Sequence, residues 1–134
     1  MKVAVSGYFD PIHVGHLEYF KYAKKLGDYL IVIVNNDAQC ALKKGKAFMT
    51  EDDRVAIVAA IKGVDEVVLS IDEDRTVCKT LAMINPDIFA NGGDRNNKEI
   101  PEAKICRSQN IQLVDGLGNK IRSSSDLTGL REKQ

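Results

Sequence analysis

The chain has 134 residues, enough for one domain with a packed core, and its 19 Lys and Arg offset 19 Asp and Glu. A formal charge of zero, spread evenly along the chain, excludes a domain held to nucleic acid or to an anionic membrane by bulk charge. Hydrophobic residues make up 44%, and ten Gly with three Pro are too few for a disordered or collagenous chain.

Residues 2–6 (Lys-Val-Ala-Val-Ser) read as a short buried strand, ended by Gly7. Leu17, Phe20, Ala23 and Leu26 recur near helical spacing over 15–26, with Lys21, Lys24 and Lys25 on the wet side and Gly27 as the stop. Residues 29–34 form a continuous apolar run, as in a strand covered on both faces. That run is the longest in the chain and is far short of the roughly 20 residues a membrane-spanning helix needs. Lys43, Lys44 and Lys46 follow on a glycine-containing loop. Thr50 then reads as the N-cap of a helix whose first turn carries Glu51, Asp52 and Asp53, and Gly63 ends it. A strand is expected over 66–70 and a helix around 74–84, which stops before Asn85-Pro86. Residues 87–90 form a strand leading into Gly92-Gly93, a helix runs over 101–109, and residues 111–114 are the last strand. Ser123, Ser124 and Ser125 precede a short C-terminal helix.

Strands alternating with helices at one-domain length predict an α/β domain over 1–134, a parallel five-stranded sheet with helices on both faces. In such sheets ligands bind at the carboxyl ends of the strands. The start of the chain lacks a long apolar stretch, so no secretory leader is expected. Cys40, Cys78 and Cys106 fit neither a redox nor a zinc spacing. Free thiols in a reduced, cytoplasmic compartment are the expectation.

The loop after the first strand runs directly into a helix and is neither a dinucleotide fingerprint nor a Walker loop. It offers His13 and His16, with Gly15 between them, at a helix N-terminus. Unpaired N–H groups and positive potential there suit phosphate, Gly15 permits close backbone approach, and the imidazoles can donate to phosphate oxygens. The alternative for the histidine pair is zinc chelation, which no nearby cysteine supports. For Asp10 the alternative to a place beside the phosphates is a cap on loop N–H groups. For the lysines it is a solvated basic loop, and for Arg54 a surface ion pair. Gly92-Gly93 also reads as a plain turn, and the serines as an ordinary N-cap.

Gly7-x-Phe9-Asp10-x-x-His13-x-Gly15-His16 resembles the signature of the nucleotidyltransferase superfamily with the HxGH motif, in particular its cytidylyltransferase-like members. The likeness continues through residues 24–28, the lysines at 43–46, Arg54, residues 64–67, Gly92-Gly93-Asp94 and the serine run. It implies a Rossmann-like fold and a direct in-line attack of a phosphorylated alcohol or sugar phosphate on the α-phosphorus of a nucleoside triphosphate. Pyrophosphate leaves, and no covalent enzyme intermediate forms. Carried over by position, His13, His16 and Lys46 would serve catalysis. Gly7, Tyr8, Phe9, Asp10, Gly15 and Lys43 would contact the nucleotide from the first half of the chain. Gly92, Asp94, Arg122, Ser123, Ser124 and Ser125 would do so from the second. Lys44 and Arg54 would bind the acceptor, and Asp10 would help to place Mg²⁺.

Gly92-Gly93-Asp94 departs from the Gly-Asp-Asp of glycerol-3-phosphate cytidylyltransferases and is closer to heptose 1-phosphate adenylyltransferases. Residues 118–121 stand where the cytidylyltransferases typically carry Arg-Thr-Glu-Gly; Lys120 or Arg122 would replace that arginine. Length and overall pattern favour transfer of CMP from CTP. The alternatives are ATP with a heptose 1-phosphate, ATP with FMN as in archaeal FAD synthetases, and a non-catalytic nucleotide-binding module. A class I aminoacyl-tRNA synthetase fragment has a similar histidine motif, but a neutral chain of this length offers no tRNA surface. The resemblance also implies a homodimer.

Overall fold

The computed structural model describes residues 1–91 and 100–114. The apolar runs pair into one parallel sheet built of β1 (Lys2–Gly7), β2 (Tyr29–Val34), β3 (Glu66–Leu69), β4 (Ile88–Ala90) and β5 (Gln112–Val114), in the order β3-β2-β1-β4-β5. β1 lies beside β2 along its whole length, from Lys2 against Tyr29 to Gly7 against Val34, and its other edge meets β4 at Val3 and Ala4. The chain order reverses between β1 and β4, which makes their carboxyl ends the place where a crevice opens.

The strand side chains alternate between two cores, as a period of two demands. Val3, Val5, Val32 and Val34 pack with Phe20 and Ala23 of α1 (Val14–Lys24) and Val58 of α3 (Glu51–Ala59). Ala4, Ile31, Ile33 and Phe89 pack with Leu81 of α4 (Cys78–Ile84) and Cys106 of α5 (Glu102–Gln109). These side chains are almost entirely withdrawn from water, each large one being worth about 1.5–3 kcal/mol of burial. The doubly wound architecture expected from the sequence is therefore the one observed, with helices on both faces.

Two element assignments differ from the sequence reading. A further helix, α2 (Asp37–Lys44), occupies part of what reads as a lysine loop. Asn36 and Gln39 close its N-terminus reciprocally, and Gly45, at φ 93°, ends it. Residues 74–77 are not helical, because the Asp74 carboxylate accepts the N–H and O–H of Thr76 and closes a turn there. α4 starts four residues later than expected, at Cys78, and its N-terminus is capped from a distance. The buried Asp72 carboxylate accepts the N–H groups of Lys79 and Thr80 and the Thr80 hydroxyl. The three cysteines are free, Cys40 and Cys106 buried, and burial pushes the Cys106 thiol up to about 11. Among the described residues no helix is long and apolar enough to cross a membrane. The C-terminal helix expected after the serine run lies outside the described residues.

Candidate active site

The β1–α1 loop brings His13 and His16 together through helix capping. His13 is the N-cap of α1: its Nδ1 accepts the N–H of Gly15 at 3.1 Å. His16, three residues on, accepts the His13 N–H on its own Nδ1 at 3.0 Å. The two rings stack at 3.9 Å between centroids, 30° apart. An Nδ1 that accepts carries no proton, so each imidazole is in the neutral form whose N–H is on Nε2. The capping box thereby leaves two adjacent Nε2–H donors at the positive end of a helix. The Gly15 N–H is engaged in that cap.

Phe9 differs from its expected role. It has φ 51° and is 2% exposed, and its ring packs edge-on against His16 at 4.9 Å and Phe20 at 5.3 Å. Its side chain backs the His16 ring from inside the core. Gly7 makes that possible, since a Cβ there would stand 2.7 Å from the Phe9 ring. Burial, and then the neighbouring His13, lowers the His16 pKa to about 4.

That shift has a measurable consequence. In the unfolded chain the His16 imidazole titrates near 6.5. Between there and about 4 the unfolded chain binds a proton that the folded chain refuses. Stability is thus complete above about pH 6.5 and falls as the pH drops toward 4. Urea midpoints at pH 7, 6 and 5 are expected to decline in the native protein and to stay level in His16→Gln. An equally level native profile would disprove the neutral, half-buried imidazole.

Asp10 is the second surprise of this loop. Its carboxylate is completely buried, accepting the N–H of Met49 at 2.6 Å on one oxygen and that of Phe48 at 2.7 Å on the other. The Lys44 ammonium completes the cluster at 2.8 Å and also donates to the Asp10 carbonyl. Burial alone would raise the Asp10 carboxyl, but Lys44 and the two N–H groups outweigh it and hold the pKa below the ordinary carboxylate value. Asp10 is therefore a clamp that ties the segment after α2 to the histidine loop. Both oxygens are committed, so it does not fit the place of a Mg²⁺ ligand. Lys44, expected to bind the acceptor, is the clamp's other half.

Arg54 also corrects the sequence reading. It lies in the first turn of α3 but points inward, 1% exposed. Its guanidinium donates to the carbonyls of Met49 (2.9 Å), Tyr8 (2.9 Å) and Asn35 (2.6 Å) and to the Asp37 carboxylate (2.7 Å). With four of its N–H groups so occupied inside the protein, it straps β1, β2 and α2 together and does not present itself to an acceptor's phosphate.

A cavity of about 640 Å³ opens at the carboxyl ends of β1, β2 and β4. Ser6, Gly7 and Tyr8 supply its β1 wall, Asn35 follows β2, and Phe89 and Asn91 come from β4. Of the expected residues Gly7, Tyr8 and Lys43 line it; the histidines belong to the adjoining loop. Lys43, at the end of α2, places its ammonium 4.3 Å from the centre of the Tyr8 ring. Lys46 is exposed just beyond Gly45. The sequence reading missed Arg75, Thr76 and Glu102, which also line the cavity. A turn at the carboxyl end of β3 was the available signal, obscured by reading 74–84 as one helix. Gly92, Asp94, Arg122, Ser123, Ser124 and Ser125 lie outside the described residues.

A doubly wound sheet, a capped histidine pair at the first helix and a polar cavity at the switch point define an α/β enzyme of the phosphate-transferring kind. The cytidylyltransferase-like family model matches residues 4–124, and the chain belongs to that family of nucleotidyltransferases. It is 33% identical over 131 residues to a FAD synthase of Picrophilus torridus, covering 95% of this chain and 93% of that protein. It is 40% identical over 121 residues to the bifunctional protein HldE of Citrifermentans bemidjiense, spanning 85% of this chain but 24% of that one. Among solved structures it is similar to a lipopolysaccharide core biosynthesis protein from Thermoplasma volcanium, with a TM-score of 0.72, 29% identity, and 86% and 94% of the two chains covered.

Proposed function

We propose that the chain transfers AMP from ATP to a small phosphorylated acceptor, FMN being the acceptor of choice, and releases pyrophosphate. The observation that carries this reading is the near end-to-end alignment with a FAD synthase. That likeness, with the HldE one, moves the donor from the CTP expected on length and pattern to ATP. A phosphate oxygen of the acceptor attacks the α-phosphorus of ATP, a new P–O bond forms, and the bond to the bridging oxygen breaks as pyrophosphate departs. The nucleophile is ionised at neutral pH and needs no general base. The task left to the protein is to align two anions and to stabilise charge on the transferring phosphoryl group. His13 and His16 do this with fixed Nε2–H donors that need no reorganisation during the reaction. With its pKa lowered to about 4, His16 stays neutral in the folded protein and serves as a donor of constant strength at any pH well above that value.

The test is direct. Purified protein, FMN and either ATP or CTP, each with Mg²⁺ in the buffer, are incubated, and FAD and pyrophosphate are quantified by chromatography and a coupled assay. Equimolar FAD and pyrophosphate are expected with ATP, with CTP at least about tenfold slower, the factor that 1.4 kcal/mol of transition-state discrimination gives. A second reading, a sugar 1-phosphate as acceptor for the same ATP, is favoured by the HldE likeness and by Gly92-Gly93-Asp94. Pyrophosphate release with heptose 1-phosphate and none with FMN would select it. No pyrophosphate with any acceptor would leave a binding module.

A further inference from the structure

We infer that Arg75, together with Lys43, binds the phosphate of the acceptor and sets the preference for phosphorylated over unphosphorylated acceptors. The inference rests on the reading of the switch-point cavity as part of the transferase site. The chemistry creates the need: an acceptor phosphate must be brought against a triphosphate, and two like-charged groups repel unless cations lie between or beside them. The histidines are neutral donors. Lys44 is spent on Asp10, and Arg54 is buried under four internal hydrogen bonds. Among the described residues, the cations that line the cavity are Lys43 and Arg75.

Arg75 is held there by a built framework. Gln39, fully buried, donates its side-chain N–H groups to the carbonyls of Asp74 at 2.6 Å and Thr76 at 2.8 Å, the residues on either side of Arg75. Gln39 is itself locked by its reciprocal bonds with Asn36. The Asp74 carboxylate takes the N–H and O–H of Thr76, and Glu102 at the start of α5 takes the Val77 N–H at 3.0 Å. The backbone around Arg75 is thus fastened on three sides. The Arg75 side chain itself is exposed and has no hydrogen bond or ion pair among the described residues. Glu102 is the one carboxylate among the described residues lining the cavity, and one of its oxygens is already engaged by Val77. An unpaired guanidinium on a preorganised turn at the rim of a polar cavity suits bidentate capture of a phosphate.

Arg75→Ala and Arg75→Lys, both surface changes expected to leave the melting temperature within about 2 °C of native, are compared with the native protein. FAD formation is expected to show the KM for FMN raised about tenfold or more in Arg75→Ala, as the loss of one charged hydrogen-bonding partner produces. The KM for ATP is expected to change less than about twofold, and Arg75→Lys to recover part of the loss. Fluorescence titration without ATP separates phosphate recognition from ring binding: Arg75→Ala weakens FMN by the same factor and leaves riboflavin unchanged. An unchanged KM for FMN overturns the inference, as does an ATP KM that rises as much as the FMN one. If the native protein makes no FAD, the acceptor reading has failed but this inference still faces a test. With MgATP saturating, millimolar inorganic phosphate should raise the melting temperature of the native protein and not that of Arg75→Ala. Equal shifts, or none in either protein, refute it.

Discussion

Replacing His13 by asparagine and His16 by glutamine together lowers kcat by about a thousandfold or more while the protein stays folded. The substitution is designed from the protein's own second box, in which Asn36 and Gln39 close α2 by the same reciprocal bonds that His13 and His16 make at α1. Asparagine is among the strongest N-cap residues and glutamine is the usual partner at the third helical position. The pair preserves the cap, worth about 1 kcal/mol, and removes both rings. What is lost is the pair of Nε2–H donors set across the imidazoles from the capped nitrogens. Removing one preorganised donor to a developing anionic charge costs about 10²–10³ in kcat. Loss of both need not be additive, because the rings act on one phosphoryl group. Circular dichroism and a melting temperature within a few degrees of native would show that the cap has been conserved. A folded double variant with native turnover would remove the histidines from the mechanism.

Arg54→Ala is expected to act in the opposite way, on stability first. The truncation strips donors from the carbonyls of Tyr8, Asn35 and Met49 and from Asp37, and empties a site occupied by one of the largest fully buried side chains. Each buried acceptor left without a partner costs about 1–3 kcal/mol, so a total of about 3 kcal/mol or more is expected. For a domain of this size that corresponds to a melting temperature lower by about 10 °C. Arg54→Lys recovers little, since one ammonium cannot reproduce a planar fork that reaches three elements. Calorimetry on the two variants measures this. If Arg54 were the acceptor's ligand, the melting temperature would hold and the acceptor KM alone would rise. A loss under 1 kcal/mol would count against the strap.

The strands were legible because each is a short apolar run buried on both faces, and burial of that kind writes itself into composition. The first loop was legible because its glycines, proline and histidines stand in a fixed local order. α2 was not, for a physical reason. Its buried residues are Gln39 and Cys40, so it carries no apolar stripe, and its signal is confined to its caps. Only Asn36, Gln39 and Gly45 mark it, among lysines that suit a loop equally well. The turn at 74–77 was lost in a helix for a similar reason, since only the Asp74 and Thr76 side chains mark it.

The amino-acid sequence by itself determined the α/β order, the parallel sheet, the histidine pair at the first helix and the family. All of these depend on neighbours within a few residues or on the plain distinction between apolar and polar. Only the tertiary structure decided what the charged residues do. Asp10 meets Lys44 and the backbone of Phe48 and Met49, Arg54 meets Tyr8 and Asn35, and Gln39 meets the carbonyls beside Arg75. These partners lie between 19 and 46 positions apart. A charged side chain has the same intrinsic chemistry in a clamp, a strap or a binding site. Which of these it becomes depends on whether folding surrounds it with acceptors or leaves it facing a cavity.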